Sequence, residues 1–487
     1  MPRLQVTIAA GMLLCACTIG KDYVRPVVDT PDQWRVEIPQ QQEFANSAWW
    51  QQFNDPVLNQ LIDEALRENR DLRIAAARVD QFIGALTTTR SQYFPQIGYG
   101  GSVSRNRATE HGTTPLPPGV DPWYNIYEAS LGASWQIDLF GRVRRQSEAV
   151  QAQVFASEQG RRGVVLSLVT SVASSYIELR ALDRQLEISH ITAGNYEKTL
   201  KLFELRFKAG MVSQMAVEQI RSQYQQALTI IPTIERQISA QENLISILLG
   251  RNPGPIERGR PLGALEMPVI PADLPSTLLE RRPDILQAEQ NLIAANAQVG
   301  VAKSLYYPTI SITGLLGTAS VALGNFLSAA STVAQIAAGV SGPIFTAGAI
   351  EGQVQSAEAA ERVAVDFYRQ TILNAFRETN DALVASAKTR EETGAQVKRV
   401  ASLREYARLA WLTFEKGYSN YIDVLFAENE LFNAELAAVS SQADSYTQLV
   451  NVYKAVGGGW IDVAEDHTPK PELTSSKEDN IKNTDSN

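Results

Sequence analysis

The sequence predicts an α+β membrane protein in which four β-strands per chain join strands from other copies in a barrel, while long antiparallel coiled-coil helices form the rest. Three observations carry that expectation. The chain repeats itself: Tyr93-Phe94-Pro95 returns as Tyr306-Tyr307-Pro308, and Phe207-Lys208-Ala209-Gly210 as Phe414-Glu415-Lys416-Gly417, each about 210 residues later. Both halves hold a proline-free helical stretch of the same length, Gly141 to Gly210 and Gly348 to Gly417. At 1.5 Å per residue each is a rod of about 100 Å, longer than an ordinary globular core needs. Ahead of each rod, apolar and polar residues alternate with a period of two.

Taken in order, residues 1–16 read as a lipoprotein signal peptide. Arg3 precedes an apolar stretch from Val6 to Leu14 that is too short to span a bilayer as a helix. It ends in Leu14-Cys15-Ala16-Cys17, which resembles a lipobox, so Cys17 becomes the lipidated N-terminus and Cys15 leaves with the signal. The mature chain then has one cysteine, its thiol taken by lipid, and neither a disulfide nor a thiol nucleophile is available. The alternative is an ordinary signal peptide with a chance cysteine. Residues 17–56 follow as an extended segment, 57–260 as the first structural repeat, 261–460 as the second, and 461–487 as a disordered polar tail with Pro469 and Pro471. No later segment is apolar for long enough to be expected as a membrane-spanning helix, so entry into a membrane must use strands.

The strands are placed at about 95–107, 125–138, 309–317 and 335–345. From Tyr127, one face reads Tyr127, Ala129, Leu131, Ala133, Trp135 and Ile137, and the other Glu128, Ser130, Gly132, Ser134, Gln136 and Asp138. Ile97, Tyr99, Gly101 and Val103 continue the habit before it, with Ile310, Ile312, Ile336, Ala338, Val340 and Ile344 in the second half. About ten residues suit a tilted membrane strand. Trp123 and Tyr124, near Pro115, Pro117 and Pro118, suit a loop at the membrane interface. Four strands leave two open edges, which hydrocarbon does not tolerate, so copies must assemble. Two copies give about eight strands and three about twelve, and both barrel sizes exist. A soluble sandwich is the competing arrangement, but a clean apolar face in a chain addressed to the envelope favours the membrane.

Within the rods, Val165, Val169, Val172, Tyr176 and Leu179, and then Ile372, Phe376, Thr379 and Leu383, follow the 4-3 rhythm of a coiled coil. Each rod turns at a glycine, with tips at about 208–214 and 415–426. Returning helices are expected from Ser213 to about Leu249 and from Ser419 to about Tyr453, with Ser or Asn as caps. Shorter helices, about Val57 to Arg90 and Ser276 to Leu305, lead into the strands. His111, His190 and His467 lie far apart, and no HExxH, Walker A, GxSxG or GxGxxG pattern occurs. Hence no catalytic residue, no metal site and no cofactor beyond the lipid on Cys17 is expected, and the protein is read as no enzyme. A composition of 44% hydrophobic and 20% charged residues with a net charge of −9 speaks against nucleic acid as a partner.

Several stretches together resemble the TolC-like outer membrane factors of tripartite efflux systems, in particular the OprM/NodT-type outer membrane lipoproteins. They are Gly20-Lys21-Asp22-Tyr23-Val24-Arg25-Pro26, Trp49-Trp50-Gln51-Gln52-Phe53-Asn54-Asp55-Pro56 and Asn69-Arg70-Asp71-Leu72. Asp138-Leu139-Phe140-Gly141-Arg142, Leu278-Leu279-Glu280-Arg281-Arg282-Pro283-Asp284-Ile285 and Gly457-Gly458-Gly459-Trp460 complete the set. The resemblance implies a homotrimer sharing a twelve-stranded barrel and a helical periplasmic tunnel, lipid-anchored in the outer membrane. It also implies a periplasmic adaptor (membrane fusion) protein and an inner-membrane transporter of the RND class as partners, with passive conduction of drugs or other small molecules. By the same resemblance, Ile422, Asp423 and Phe426 form a periplasmic gate, and Phe426 stands where an aspartate is common, so that a phenylalanine ring would seal by dewetting. Leu205, Arg206, Phe207, Gly210, Ser213, Phe414, Gly417 and Ser419 would form adaptor-docking tips. Their position alone equally suits plain turn chemistry, and Asp423 a first-turn carboxylate complementing the helix dipole. A duct for type I protein secretion and a rod-like envelope tether are the competing functions; a tether has no use for strands.

Overall fold

The structure is a computed structural model that describes residues 18–31, 33–35, 48–109, 116, 117, 119–269, 278–457 and 460–473. The signal peptide, Cys17, Pro115, Pro118 and the end of the polar tail lie outside the described residues. The strands are β1 Gln96–Arg107, β2 Trp123–Ile137, β3 Thr309–Ser320 and β4 Thr332–Ser341. The helices are α1 Pro56–Glu68, α2 Arg70–Ser91, α3 Arg142–Lys208, α4 Gln214–Leu248, α5 Leu278–Arg281, α6 Pro283–Ser304, α7 Ala349–Glu415, α8 Tyr421–Val456 and α9 Trp460–Glu465. The repeat is literal at the longest elements, since α3 and α7 are both 67 residues.

One antiparallel sheet of order β1-β2-β3-β4 contains all four described strands. Its register carries a single apolar face from edge to edge: Tyr99 opposes Leu131, Leu131 opposes Leu316, and Leu316 opposes Ala334. One step along, Ile97, Ala133, Gly314 and Ile336 form a second apolar row. Tyr99 is 92% exposed and Ile336 88%, so none of the described residues covers this face. Its reverse carries Ser134, Thr313 and Glu128, whose carboxylate accepts from Ser102 Oγ at 3.1 Å. Gly317 permits the β2–β3 approach, because a Cβ there would meet the Ala129 carbonyl at 2.3 Å. The fourth strand stops at Ser341, short of the expected 345, since Pro343 has no N–H for a ladder. Trp123 and Tyr124 lie within β2 rather than in a loop, and the Arg105 guanidinium sits 5.5 Å over the Trp123 ring.

Two compact units divide the contacts, and both draw on both sequence repeats. The unit of Met1–Val27, Asp80–Ala156 and Ala288–Tyr368 holds the sheet. In it the Gly20–Pro26 stretch is fastened to helices: Arg145 donates to the carbonyls of Ile19 and Gly20 and to Asp22. Arg25 grips Glu289 with two N–H donors, and Tyr23 donates to the same carboxylate at 3.1 Å. Gly300 is required at the crossing, for a Cβ would lie 2.9 Å from the Ile19 carbonyl. Asp138 caps α3 by accepting from Val143 and Arg144 N–H, both at 3.0 Å.

The second unit comprises Val28–Val79, Ser157–Gln287 and Arg369–Asn487. Its largest core places Trp49, fully buried, in a stack 4.8 Å from Tyr453, with Trp50, Phe53 and Trp460 edge-on around it. Four expectations are corrected here. The helix expected over Val57 to Arg90 breaks at Asn69, which caps α2 through Leu72 N–H and donates to the Leu248 carbonyl. Similarly, Ser276 to Leu305 resolves into α5 and α6 either side of Arg282, because Pro283 excludes its predecessor from the helical region. The start of the tail is folded: Ile461 and Ala464 of α9 are fully buried, and Glu465 and Asp462 are held by Arg161 and Arg162. Finally, α3 does contain an 18-residue stretch apolar enough to cross a membrane, most of it buried. Val165, Val169, Val172 and Tyr176 from it are core residues, so the same apolar character serves helix packing.

Candidate functional site

The ends of α3 and α7 are built alike. Met211 N–H reaches back to the Arg206 carbonyl and Tyr418 N–H to the Thr413 carbonyl, both at 2.9 Å, the six-to-one bond of a Schellman turn. Gly210 and Gly417 supply the left-handed residue at φ 72° and 79°. No atom lies within 4 Å of a Cβ built at either, so backbone conformation and not space demands glycine. Gly417→Ala should therefore destabilise the turn by about 1–2 kcal/mol. The helical Gly394, equally open, should gain up to about 1 kcal/mol on the same change. Urea midpoints of the two variants moving in opposite directions would verify this.

Ser213 caps α4, its Oγ accepting from Ala216 N–H at 3.3 Å. At the second turn the cap position is Asn420, whose side chain makes no capping bond, and Ser419 Oγ instead lies 3.1 Å from Thr413 Oγ1. The dipole of α8 is met by Asp423 in its first turn.

Behind the turns, Phe203, Trp411, Phe414 and Tyr421 form an aromatic cluster, with Phe203 4.3 Å from Tyr421 and 6.1 Å from Phe414. Arg206 lies over two of these rings, 5.6 Å from Phe203 and 5.9 Å from Phe414. It thus clamps the α3–α4 hairpin to the α7–α8 hairpin through cation–π contact. Phe414 and Arg206 are thereby engaged in packing, while Leu205, at 63% exposure, Phe207, Met211 and Met215 present the apolar surface at the tips.

In α8, Tyr421, Val424, Leu425 and Ala427 are buried in the core at this end. Their complement faces outward: Ile422 and Phe426, 54% and 61% exposed, flank exposed Asp423. The structure brings these three together at i, i+1 and i+4, on a face that none of the described residues covers. Sequence reasoning missed Phe203, Trp411 and Tyr421 as partners, and also Glu428. Burial lifts the Glu428 carboxyl above the usual carboxylate range, although Trp411 Nε1 donates to it at 2.6 Å. The 3-residue spacing of Trp411-Phe414 held a trace of this cluster. Among the described residues, no group of three His, Cys, Asp or Glu could hold a metal.

Residues 61–251 and 274–458 match the model of the outer membrane efflux protein family. The chain belongs to that family. It is 32% identical over 472 residues to the solvent efflux pump outer membrane protein SrpC of Pseudomonas putida, spanning 93% of this chain and 97% of that protein. The cation efflux system protein CusC of Escherichia coli is 31% identical over 467 residues, 94% of this chain and 99% of the relative. The open-state crystal structure of the Neisseria gonorrhoeae MtrE outer membrane channel superposes with a TM-score of 0.81 at 27% identity, covering 94% of this chain and all of the MtrE chain. The fold is thus that of the TolC-like channels.

In this outer membrane efflux protein the most recognisable motifs act as fasteners rather than as the site. Arg282, from the Arg281-Arg282-Pro283-Asp284 stretch, donates to the Ala455 carbonyl, Asp284 and Glu378. Gly457 lies against it, where a Cβ would come within 2.5 Å of Arg282 Cγ. Partnering by those carboxylates raises the Arg282 guanidinium above its ordinary range despite its burial, so it stays charged.

Proposed function

We propose that this chain is the outer-membrane duct of a tripartite efflux pump, passively conducting drugs or other small molecules outward. The observation that carries the reading is the continuous uncovered apolar face across β1 to β4, bounded by two unpaired edges. Such a sheet is stable in hydrocarbon only when copies close it, and a homotrimer with a barrel of about twelve strands satisfies both demands. Lipid on Cys17 would anchor the chain beside the barrel. The paired hairpins would form the periplasmic tunnel, with a periplasmic adaptor protein docking at Leu205, Phe207 and the turns around Gly210, Ser213, Gly417 and Ser419. An RND-type inner-membrane transporter would supply the substrate and the energy.

At the tip, symmetry copies of Ile422, Asp423 and Phe426 would surround the pore axis. Apolar rings narrow enough to exclude water close a pore by dewetting, and Asp423 would bias what crosses toward cations. The test is dye and antibiotic accumulation in cells lacking the protein. Deletion should raise accumulation, and the wild-type gene should reverse it. A Phe426→Ser variant should also restore efflux, while admitting a large polar antibiotic that the outer membrane normally excludes. For Asp423→Ala, reduced cation preference in planar bilayers is expected with little loss of stability. Unchanged selectivity, with only stability lowered by about 0.5 kcal/mol of lost dipole interaction, would leave Asp423 as helix-end chemistry.

A further inference from the structure

We infer that Glu428 is a positioning residue for the gate, acting through its hydrogen bond with Trp411 to hold the Ile422–Asp423–Phe426 face of α8 in place against α7. The inference rests on the duct reading above. Glu428 lies in the turn of α8 that follows the gate residues, on the side of the helix that packs inward. Trp411 belongs to α7, so the 2.6 Å bond from its Nε1 ties the gate-bearing helix to its neighbour. The same indole sits edge-on to Tyr421, 5.7 Å away, and to Phe414, 6.0 Å away. Moving α8 therefore strains the carboxyl contact and the aromatic cluster together.

The surroundings are poor in compensating charge. From α3, Tyr196 is buried with a hydroxyl that has no hydrogen-bond partner among the described residues. On α8 itself Tyr421 is buried beside the site, and Asp423 is exposed on the opposite face. From α4, Arg221 is committed to Glu204 and Glu218, and on α7 Arg408 is committed to Glu405. Arg399 serves Glu430, two residues further along α8. Arg206 is occupied by the rings of Phe203 and Phe414. A carboxylate so placed loses water and gains one neutral N–H donor, an unfavourable exchange for its charged form.

The sign of the coupling follows. Packed, the carboxyl holds its proton more tightly than it would once α8 swings out and Glu428 meets water. Closure is thus supported fully below the ordinary carboxylate value, and the support is lost as pH rises through the raised value. Opening the tip releases a proton, so an alkaline periplasmic face favours the open duct.

The experiment uses the full-length oligomer, with two readouts between about pH 5 and pH 8. The first is amide hydrogen exchange over residues 405–430, corrected for the chemical pH dependence, and the second is conductance in planar bilayers. Wild type should exchange and conduct several-fold more at the upper end. Glu428→Gln keeps an acceptor for Trp411 without the charge, and should give a flat profile at the low, closed level. Trp411→Phe retains a ring in the cluster but removes the donor, and should raise both readouts throughout. A Glu428→Gln protein that follows the wild-type pH profile overturns the inference, as does a Trp411→Phe protein that gates like wild type. If exchange behaves as expected and no variant conducts, the latch between α7 and α8 stands and the duct reading fails. Normal conductance without the Glu428-dependent pH profile has the opposite meaning.

Discussion

Leu131→Arg should abolish assembly in the outer membrane, while Ser134→Arg three residues away should be tolerated. Leu131 sits in the middle of β2, opposite Tyr99 on one side and Leu316 on the other, and is 55% exposed on the apolar face. An arginine facing lipid near the bilayer midplane costs about 2–4 kcal/mol, and in the proposed trimer it would be incurred in every copy. Ser134 pairs with Gln96 and Thr313 on the reverse face, where a charge would meet water in the lumen. Heat-labile oligomers in outer-membrane fractions are the readout. Were Leu131→Arg to assemble and conduct normally, the apolar face would not be the lipid face, and the barrel proposal would fail with it.

The second large effect is expected at Asp55, near the end of the Trp49–Pro56 stretch, where its role is structural. This fully buried carboxylate accepts from Val57 and Leu58 N–H as the cap of α1, from Tyr176 Oη at 2.9 Å and from Arg260 N–H at 2.9 Å. Gly259 is required beside it, since a Cβ would come within 2.1 Å of Asp55 Oδ1. Asp55→Ala removes a helix cap and strands a buried hydroxyl and a buried N–H, a loss of about 3–5 kcal/mol. Asp55→Asn keeps an acceptor oxygen and should lose less than half of that. Denaturant titration of the two variants orders them, and equal midpoints would show that the buried network is not what holds α1.

Periodicity made the strands legible. A two-residue alternation depends only on which face meets lipid, and that information is local, so β2 was readable from Tyr127 to Ile137 without knowing its neighbours. The glycines at the tips were equally legible, because a left-handed residue after a long helix is a local requirement. The placement of Ile422 and Phe426 on one outward face of α8 follows from helical spacing once the start of the helix is known. What periodicity could not supply was the identity of packed partners. Asn69 reads as an ordinary helix residue until the Leu248 carbonyl arrives to accept its amide, and only then is a break there favourable.

The apolar stretch in α3 teaches the converse. Composition makes it eligible for a membrane, and only its burial among Trp49, Ile245 and Tyr446 assigns it to a helical core. The start of the polar tail was misjudged for a related reason. Glu465 and Asp462 look solvated in sequence, yet Arg161 and Arg162 from the first third of α3 hold them, and Ile461 and Ala464 fill the core beneath.

By itself, then, the sequence determined the two repeats, the strand faces, the two rods and their glycine turns, because each is a property of residues near one another in the chain. Only the tertiary structure decided that Arg206 clamps two hairpins, that Trp411 meets Glu428, and that Arg282, Asp55 and Arg145 fasten segments far apart in sequence. The physical reason is the same in each case: a charge or hydrogen bond is strengthened by removal from water, and what removes it is chain brought from elsewhere.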